Sequence, residues 1–282
     1  MPDYDLAVAY RIYPKVSKNP PIFKNDKYQL AEFCLKSFKE SLGKLRPKMF
    51  VILDGCPSGY EDLFRKYFDD LDLEFIRVAG IGNHKTFMLQ IKTLMEQEYS
   101  DIIYFAEDDY YYMPDQFRDM LDLIHQKQEA HFITPYDHLD YYSMSLHDNR
   151  YRIIFSGRRH WRTASSTCMT FMTTKQIFSK TKREFSSYQR GNLDVSIWMS
   201  LTKYDVLNPF KILHYMLFSR GSFIFVAYAW WYGWIQIIFK RKWNLWVPLP
   251  SIATHMEGTC LAPTIGEEVF FPHKDSIDCR LK

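Results

Sequence analysis

The chain has 282 residues and a mass of 33.8 kDa, with 36 basic against 33 acidic side chains and a net charge of +3. So small a surplus excludes a nucleic-acid protein held by bulk electrostatics, and 47% hydrophobic with 24% charged residues excludes a disordered chain. The unusual quantity is aromatic content, 17%, which is enough for a sizeable core and leaves rings for a ligand or a lipid surface.

Leu6-Ala7-Val8-Ala9-Tyr10 is an apolar run suited to a buried strand. Over 26–42, Leu30, Phe33, Cys34, Ser37, Phe38 and Leu42 recur at three- and four-residue spacing, which predicts an amphipathic helix. Met49-Phe50-Val51-Ile52-Leu53 is a second buried strand, ending at Asp54-Gly55. A helix over roughly 59–69, a strand over 73–78, a helix over 84–98 and a strand over 101–106 follow. That rhythm predicts an α/β fold whose mostly parallel sheet is covered on both faces, with ligands beyond the carboxyl ends of the strands. Those ends carry Tyr10-Arg11, Asp54-Gly55, residues 80–85 and Glu107-Asp108-Asp109.

Five scattered cysteines (Cys34, Cys56, Cys168, Cys260 and Cys279) show no zinc-site spacing and suit buried thiols in a reducing compartment. The start, Met1-Pro2-Asp3-Tyr4-Asp5, has two acids and no basic region of the kind that opens a secretory signal. Everything up to about residue 205 is therefore expected to be a cytosolic, soluble fold.

The strongest chemical signal is Glu107-Asp108-Asp109, directly after an apolar strand. Three adjacent carboxylates repel one another unless solvent or a cation neutralises them, and hard divalent ions such as Mg²⁺ or Mn²⁺ bridge carboxylates to substrate phosphates. Gly80-Ile81-Gly82-Asn83-His84-Lys85-Thr86 lacks the Gly before Lys that a P-loop needs. It can still offer backbone N–H groups and Lys85 to a phosphate at a helix start, or serve as an ordinary turn. Arg158-Arg159-His160-Trp161-Arg162 is a basic cluster open to three readings: a diphosphate clamp, a site for an anionic acceptor, or a solvated loop. Asp194 stands at a predicted helix start, where it caps or acts as a general base, with Glu184 and Asp205 as the next candidates for a base. His255 is a lone late histidine, read by itself as a packed or surface residue more readily than as a metal ligand.

In order, these pieces resemble the GT-A glycosyltransferases, and more closely the inverting family 2 enzymes. The resemblance is specific at 102–114 and looser over the rest of 5–200 and 250–265. It implies that Tyr10 and Arg11 contact the nucleotide and that Asp54 meets the base or ribose. It implies too that Glu107 and Asp108 hold the first two positions of a DxD-like motif, with Asp109 holding the metal. Lys85, Arg158 and Arg159 join the donor-binding set. Asp194 takes the place of the catalytic base, preceded by Leu193 where the family commonly has Glu, and His255 takes that of a late metal ligand.

The implied chemistry is transfer from a UDP-, GDP- or dTDP-linked sugar to a hydroxyl of a glycan or lipid-linked acceptor, dependent on Mn²⁺ or Mg²⁺. Competing readings are a sugar-phosphate nucleotidyltransferase, disfavoured because residues 9–20 contain no glycine, and an inactive membrane-associated carbohydrate-binding protein.

The sequence divides into a catalytic domain over 1–205, a helical segment over 206–249 and a return to the active site over 250–282. Residues 206–256 carry Lys211, Arg220, Lys240, Arg241 and Lys242, no acid, and Trp230, Trp231, Trp234, Trp243 and Trp246. The stretch 221–239 is uncharged and, at about 1.5 Å per residue, nearly matches a ~30 Å bilayer core. A single crossing would separate Asp194 from His255, so the expectation is in-plane, peripheral attachment at the cytoplasmic face of a membrane, with a buried core hairpin as the alternative.

Overall fold

Asp26 accepts a hydrogen bond from the Gln29 amide at 3.0 Å and so starts the first helix, which Gly43 ends at a φ of +56°. That helix lies in a computed structural model that describes residues 4–16, 19–266 and 269–270. Met1, Pro2, Asp3, Cys279 and most of the stretch beyond 266 lie outside the described residues.

The first half alternates as β1 (Leu6–Ile12), α1 (Lys27–Leu42), β2 (Pro47–Asp54), α2 (Gly59–Arg65), β3 (Leu73–Val78), α3 (Asn83–Glu96) and β4 (Ile102–Glu107). These strands pair in parallel in the order β3-β2-β1-β4, with Arg11 in register with Glu107. The second half adds β5 (Tyr110–Tyr112), α4 (Arg118–Gln126), β6 (Phe132–Ile133), α5 (Asp140–Ser143), β7 (Ile153–Ser156), β8 (Arg159–Ala164) and β9 (Phe171–Thr174). It then runs through α6 (Lys175–Ser186), α7 (Asp194–Thr202), α8 (Pro209–Phe218), α9 (Arg220–Phe239), β10 (Leu245–Leu249) and β11 (Ala253–His255). The described sheet has nine strands in the order β3-β2-β1-β4-β9-β6-β10-β8-β7, and β11 pairs with β5 in a separate two-stranded sheet. Beyond β4 the pairing turns antiparallel except between β6 and β10.

Every residue of β1 and β2 is buried, as expected of strands covered on both faces. Val8 and Tyr10 feed one layer with Phe38 and Phe64 of α1 and α2. Ala7 and Ala9 feed the other, with Phe87 of α3, Phe178 and Phe185 of α6 and Trp198 of α7. This is the expected α/β class.

The segment after 205 differs from its expected form. Helix stops at Phe239, and Leu245–Leu249 enters the main sheet between β6 and β8. Trp243 and Trp246 are buried there, so two of the five tryptophans belong to the core. Three consecutive apolar residues, Leu245-Trp246-Val247, suit a strand with both faces covered, and that is where they go. Upstream, α9 lays Val226, Ala229, Gly233 and Ile237 on α7, so close at Gly233 that a β-carbon would stand 2.6 Å from Ser200 Cβ.

Candidate active site

The carboxyl ends of β1, β2 and β4 meet the starts of α3 and α7 around a cavity of ≈ 600 Å³. Arg11, Asp54, Glu107, Asp108, Asp109, Asp194 and His255 all line it. Seven residues singled out from sequence thus come together, though they span positions 11 to 255.

At the end of β2, both carboxylate oxygens of Asp54 accept backbone bonds, from Ile81 N at 2.6 Å and Gly82 N at 2.9 Å. Asp54 therefore shapes the turn before α3. That turn runs through Gly80 and Gly82 at φ of +70° and +83°, with open space where their β-carbons would stand. Arg11 bonds to the Asn83 carbonyl at 3.0 Å, to the Asn83 side chain and to Glu107. Burial lowers the pKa of its guanidinium, but the charge and hydrogen bond of Glu107, together with Tyr188 and Asp109, leave it raised. The other oxygen of Glu107 accepts from Thr170 Oγ1 at 2.8 Å.

The triplet is not three equivalent ligands. Glu107 has a partner at each oxygen, and Asp108 turns toward α1, accepting from Tyr13 N at 3.0 Å and pairing with Lys27 Nζ at 2.9 Å. Burial, with the neighbouring Asp109 charge, pushes the Asp108 pKa up despite Lys27. Asp109 Oδ2 meets His255 Nε2 at 3.1 Å, while Asp109 Oδ1 is buried with no hydrogen-bond partner. Burial alone would raise the Asp109 pKa; His255, backed by Lys27 and Arg11, carries it well below the usual carboxylate range. Burial pulls His255 down, and Asp109, joined by Glu107 and Glu257, more than restores it, leaving it raised. The small sheet sets this pair: His255 is in register with Tyr110, and Met256 N donates to the Asp109 carbonyl at 2.7 Å.

A buried carboxylate oxygen without a partner, beside an imidazole nitrogen, fits a divalent cation. No cluster of three or more His, Cys, Asp or Glu suited to a metal occurs among the described residues. The pair therefore suits an ion that completes its shell with substrate phosphate and water, as Mg²⁺ commonly does.

Asp194 is the first residue of α7, after Leu193, which has no capping oxygen; its Oδ1 accepts from Val195 N at 2.7 Å. Glu184 and Asp205 are buried and tied to Lys240 and Lys211 instead.

Four expected contacts are placed elsewhere. Tyr10 points to the opposite face of the sheet and packs on Phe38 and Phe64, because neighbours on a strand alternate sides and Arg11 takes the cavity side. Lys85 is exposed on α3 outside the lining. Arg158 and Arg159 both bind Asp119, at 3.1 and 2.7 Å, and Arg159 also donates to the Pro250 carbonyl at 2.6 Å. Arg158 and Arg159 thus form a strap around Asp119, while Arg162 of the same cluster pairs with Asp137 at 2.9 Å.

Lys27 and Tyr188 carry weight that sequence reading missed. Lys27 occupies the first position of α1, where a cation opposes the helix dipole; that misplacement was a signal that it serves another group. Tyr188 lines the cavity, its hydroxyl accepting from Asn83 Nδ2 at 3.0 Å and its ring edge-on to His84, and nothing local in the sequence marks it.

No protein-family model matches the sequence, and no curated protein matches it. Solved structures similar to the chain include S. aureus TarS 1–349 in complex with UDP-GlcNAc, at 12% identity and a TM-score of 0.42, over 63% of this chain and 47% of that one. They include the galactosyltransferase LgtC in complex with donor and acceptor sugar analogues, at 9% identity and 0.40, over 68% of this chain and 69% of that one. GalNAc-T7 with UDP, GalNAc and Mn²⁺ is similar at 8% identity and 0.47, over 89% of this chain and 44% of that one. The chain thus spans about half the length of the TarS structure it matches.

Proposed function

We propose that the chain is a glycosyltransferase that moves a sugar from a nucleotide-sugar donor to an acceptor hydroxyl, with metal dependence and inversion at the anomeric carbon. One observation carries this reading: Asp109 with an unclaimed oxygen, its partner His255, and Asp194 on a separate helix line the same cavity.

In this reading Asp109 and His255 hold a Mn²⁺ or Mg²⁺ ion, which when bound neutralises the departing diphosphate. Arg11 supplies a fixed positive charge in the same wall, held in place by Glu107 and Asn83. The Gly80–Gly82 turn, shaped by Asp54, gives the nucleotide a surface without β-carbons in its way. Asp194 removes the proton from the acceptor hydroxyl at its Oδ atoms as that oxygen attacks the anomeric carbon opposite the leaving group. One displacement on one carbon inverts its configuration, as in the inverting hydrolases. UDP-, GDP- and dTDP-sugars are the candidate donors, and a glycan or lipid-linked hydroxyl is the acceptor class.

The test is nucleoside diphosphate release from a panel of UDP-, GDP- and dTDP-sugars, with Mn²⁺ or Mg²⁺, with and without acceptor glycans. Release of nucleoside diphosphate supports transfer. Pyrophosphate from a nucleoside triphosphate and a sugar phosphate would identify a nucleotidyltransferase instead. Donor binding by calorimetry without turnover across the panel would identify an inactive binding protein.

A further inference from the structure

We infer that the outer face of α8 and α9 docks in the plane of an anionic bilayer leaflet. This goes beyond sugar transfer and stands without it. On α9 the side facing α7 is filled by Val226, Ala229, Gly233 and Ile237. The opposite side carries Ile224, Trp231 and Ile238 at seven-residue spacing, with Trp231 79% exposed. On α8, Phe210, Leu213 and Leu217 recur at spacings of three and four, and Phe210 is 83% exposed. An apolar face continued over two helices exceeds the scattered exposed residues of a soluble surface.

Three features decide the occupant. Arg220 stands exposed at the first position of α9 and Lys242 exposed beyond its last, and no Asp or Glu occurs anywhere in 206–256. A second copy docked by two-fold symmetry would set this cationic patch against itself, whereas anionic headgroups neutralise it. Exposed Tyr228, Trp231 and Trp234 suit the headgroup level, where one edge of the ring is wet. Spanning would require α9, which is long and apolar enough to cross, to leave α7. That would expose the fully buried Gln236 to lipid and break the bond from Tyr232 to the Arg190 carbonyl, 2.7 Å. The helix therefore lies flat, with the cavity-lining end of α7 beneath it.

Flotation of the full chain with vesicles of equal parts phosphatidylcholine and phosphatidylglycerol tests this without any enzymatic readout, so its failure is distinct from failure of the transferase reading. The protein should float with these vesicles and bind pure phosphatidylcholine roughly tenfold or more weakly. Phe210→Ser with Trp231→Ser and Trp234→Ser should abolish flotation with an unchanged circular dichroism spectrum and melting curve, because these side chains are exposed. Trp230 is left alone, since it is half-buried and donates to the Val206 carbonyl at 2.9 Å. Arg220→Gln with Lys242→Gln should weaken binding to the mixed vesicles alone. No flotation, flotation that survives the triple substitution, or a lipid-free dimer that the triple substitution dissociates would overturn the inference. Resistance to alkaline carbonate extraction would overturn the in-plane placement.

Discussion

Asp194→Asn separates a catalytic base from a helix-start residue by magnitude. The amide oxygen still accepts the Val195 N–H, so the local bond at 2.7 Å survives. What α7 loses is one negative charge in its first turn, worth about 0.3–1 kcal/mol at an exposed site. A base removed from the reaction costs on the order of 10²–10⁴ in rate. At about 1.36 kcal/mol per decade, that is roughly 2.7–5.4 kcal/mol on the barrier. The two effects differ severalfold and are read by different instruments. Melting should shift by a few degrees at most, donor affinity should hold, and acceptor-dependent release of nucleoside diphosphate should fall by at least a hundredfold. Turnover within about threefold of the parent would refute the assignment.

Asp109→Asn should abolish turnover and also the rise in melting temperature that Mn²⁺ gives the parent, whereas His255→Gln should leave a weakened metal response. In metal-free protein the raised His255 pKa contributes stability that is fully present below about 6.5 and lost as pH rises through the folded value; the lowered Asp109 pKa contributes stability that is lost in acid. The stability gap between the parent and His255→Gln should therefore be widest between about pH 5 and 6.5 and close as pH rises through the folded His255 value, and a gap constant with pH would contradict the pairing. Manganese binding should strengthen over that same rise, because the ligand is the neutral imidazole. Gly221→Ala and Gly233→Ala, in one helix, should have opposite signs: the first meets open space and gains up to about 0.5 kcal/mol. The second drives a methyl into Ser200 and loses about 1–3 kcal/mol, both read by denaturant unfolding. Arg159→Met should destabilise by about 3 kcal/mol because it strips a buried pair, and Arg158→Ala by about 1 kcal/mol or less, their side chains being 5% and 59% exposed. Neither should alter donor KM appreciably.

The parallel half of the fold was legible because its strands are short, apolar and separated by periodic helices. Each expected element from β1 to β4 is present within a few residues of its expected bounds. Asp54, the acidic triplet, Asp194 and His255 were legible as types of residue at strand ends and helix starts, and all reach one cavity. What the sequence hid was division of labour. Nothing in Glu107-Asp108-Asp109 says that Arg11 and Lys27 occupy two of the three acids, because both partners are distant in the chain. The basic cluster misled for the converse reason, since Asp119 is 39 residues from Arg158 and invisible to local spacing. The aromatic stretch after 205 misled by composition: tryptophans on the outer face of α9 and in the sheet read alike until burial sorts Trp231 from Trp246.

The place of β10 has a consequence for biosynthesis. Leu245–Leu249 slots between β6 and β8, strands made more than 80 residues earlier, and forms five residue pairs with β8 from Leu245 opposite Ala164 to Leu249 opposite His160. A nascent chain that has emerged only through α9 therefore holds two unpaired edges with a strand-wide gap between them. Open edges recruit foreign strands, so this interval is the aggregation-prone one on the ribosome. Docking of α9 on α7 shortens it by holding the start of β10, across a link of five residues, near the mouth of the gap.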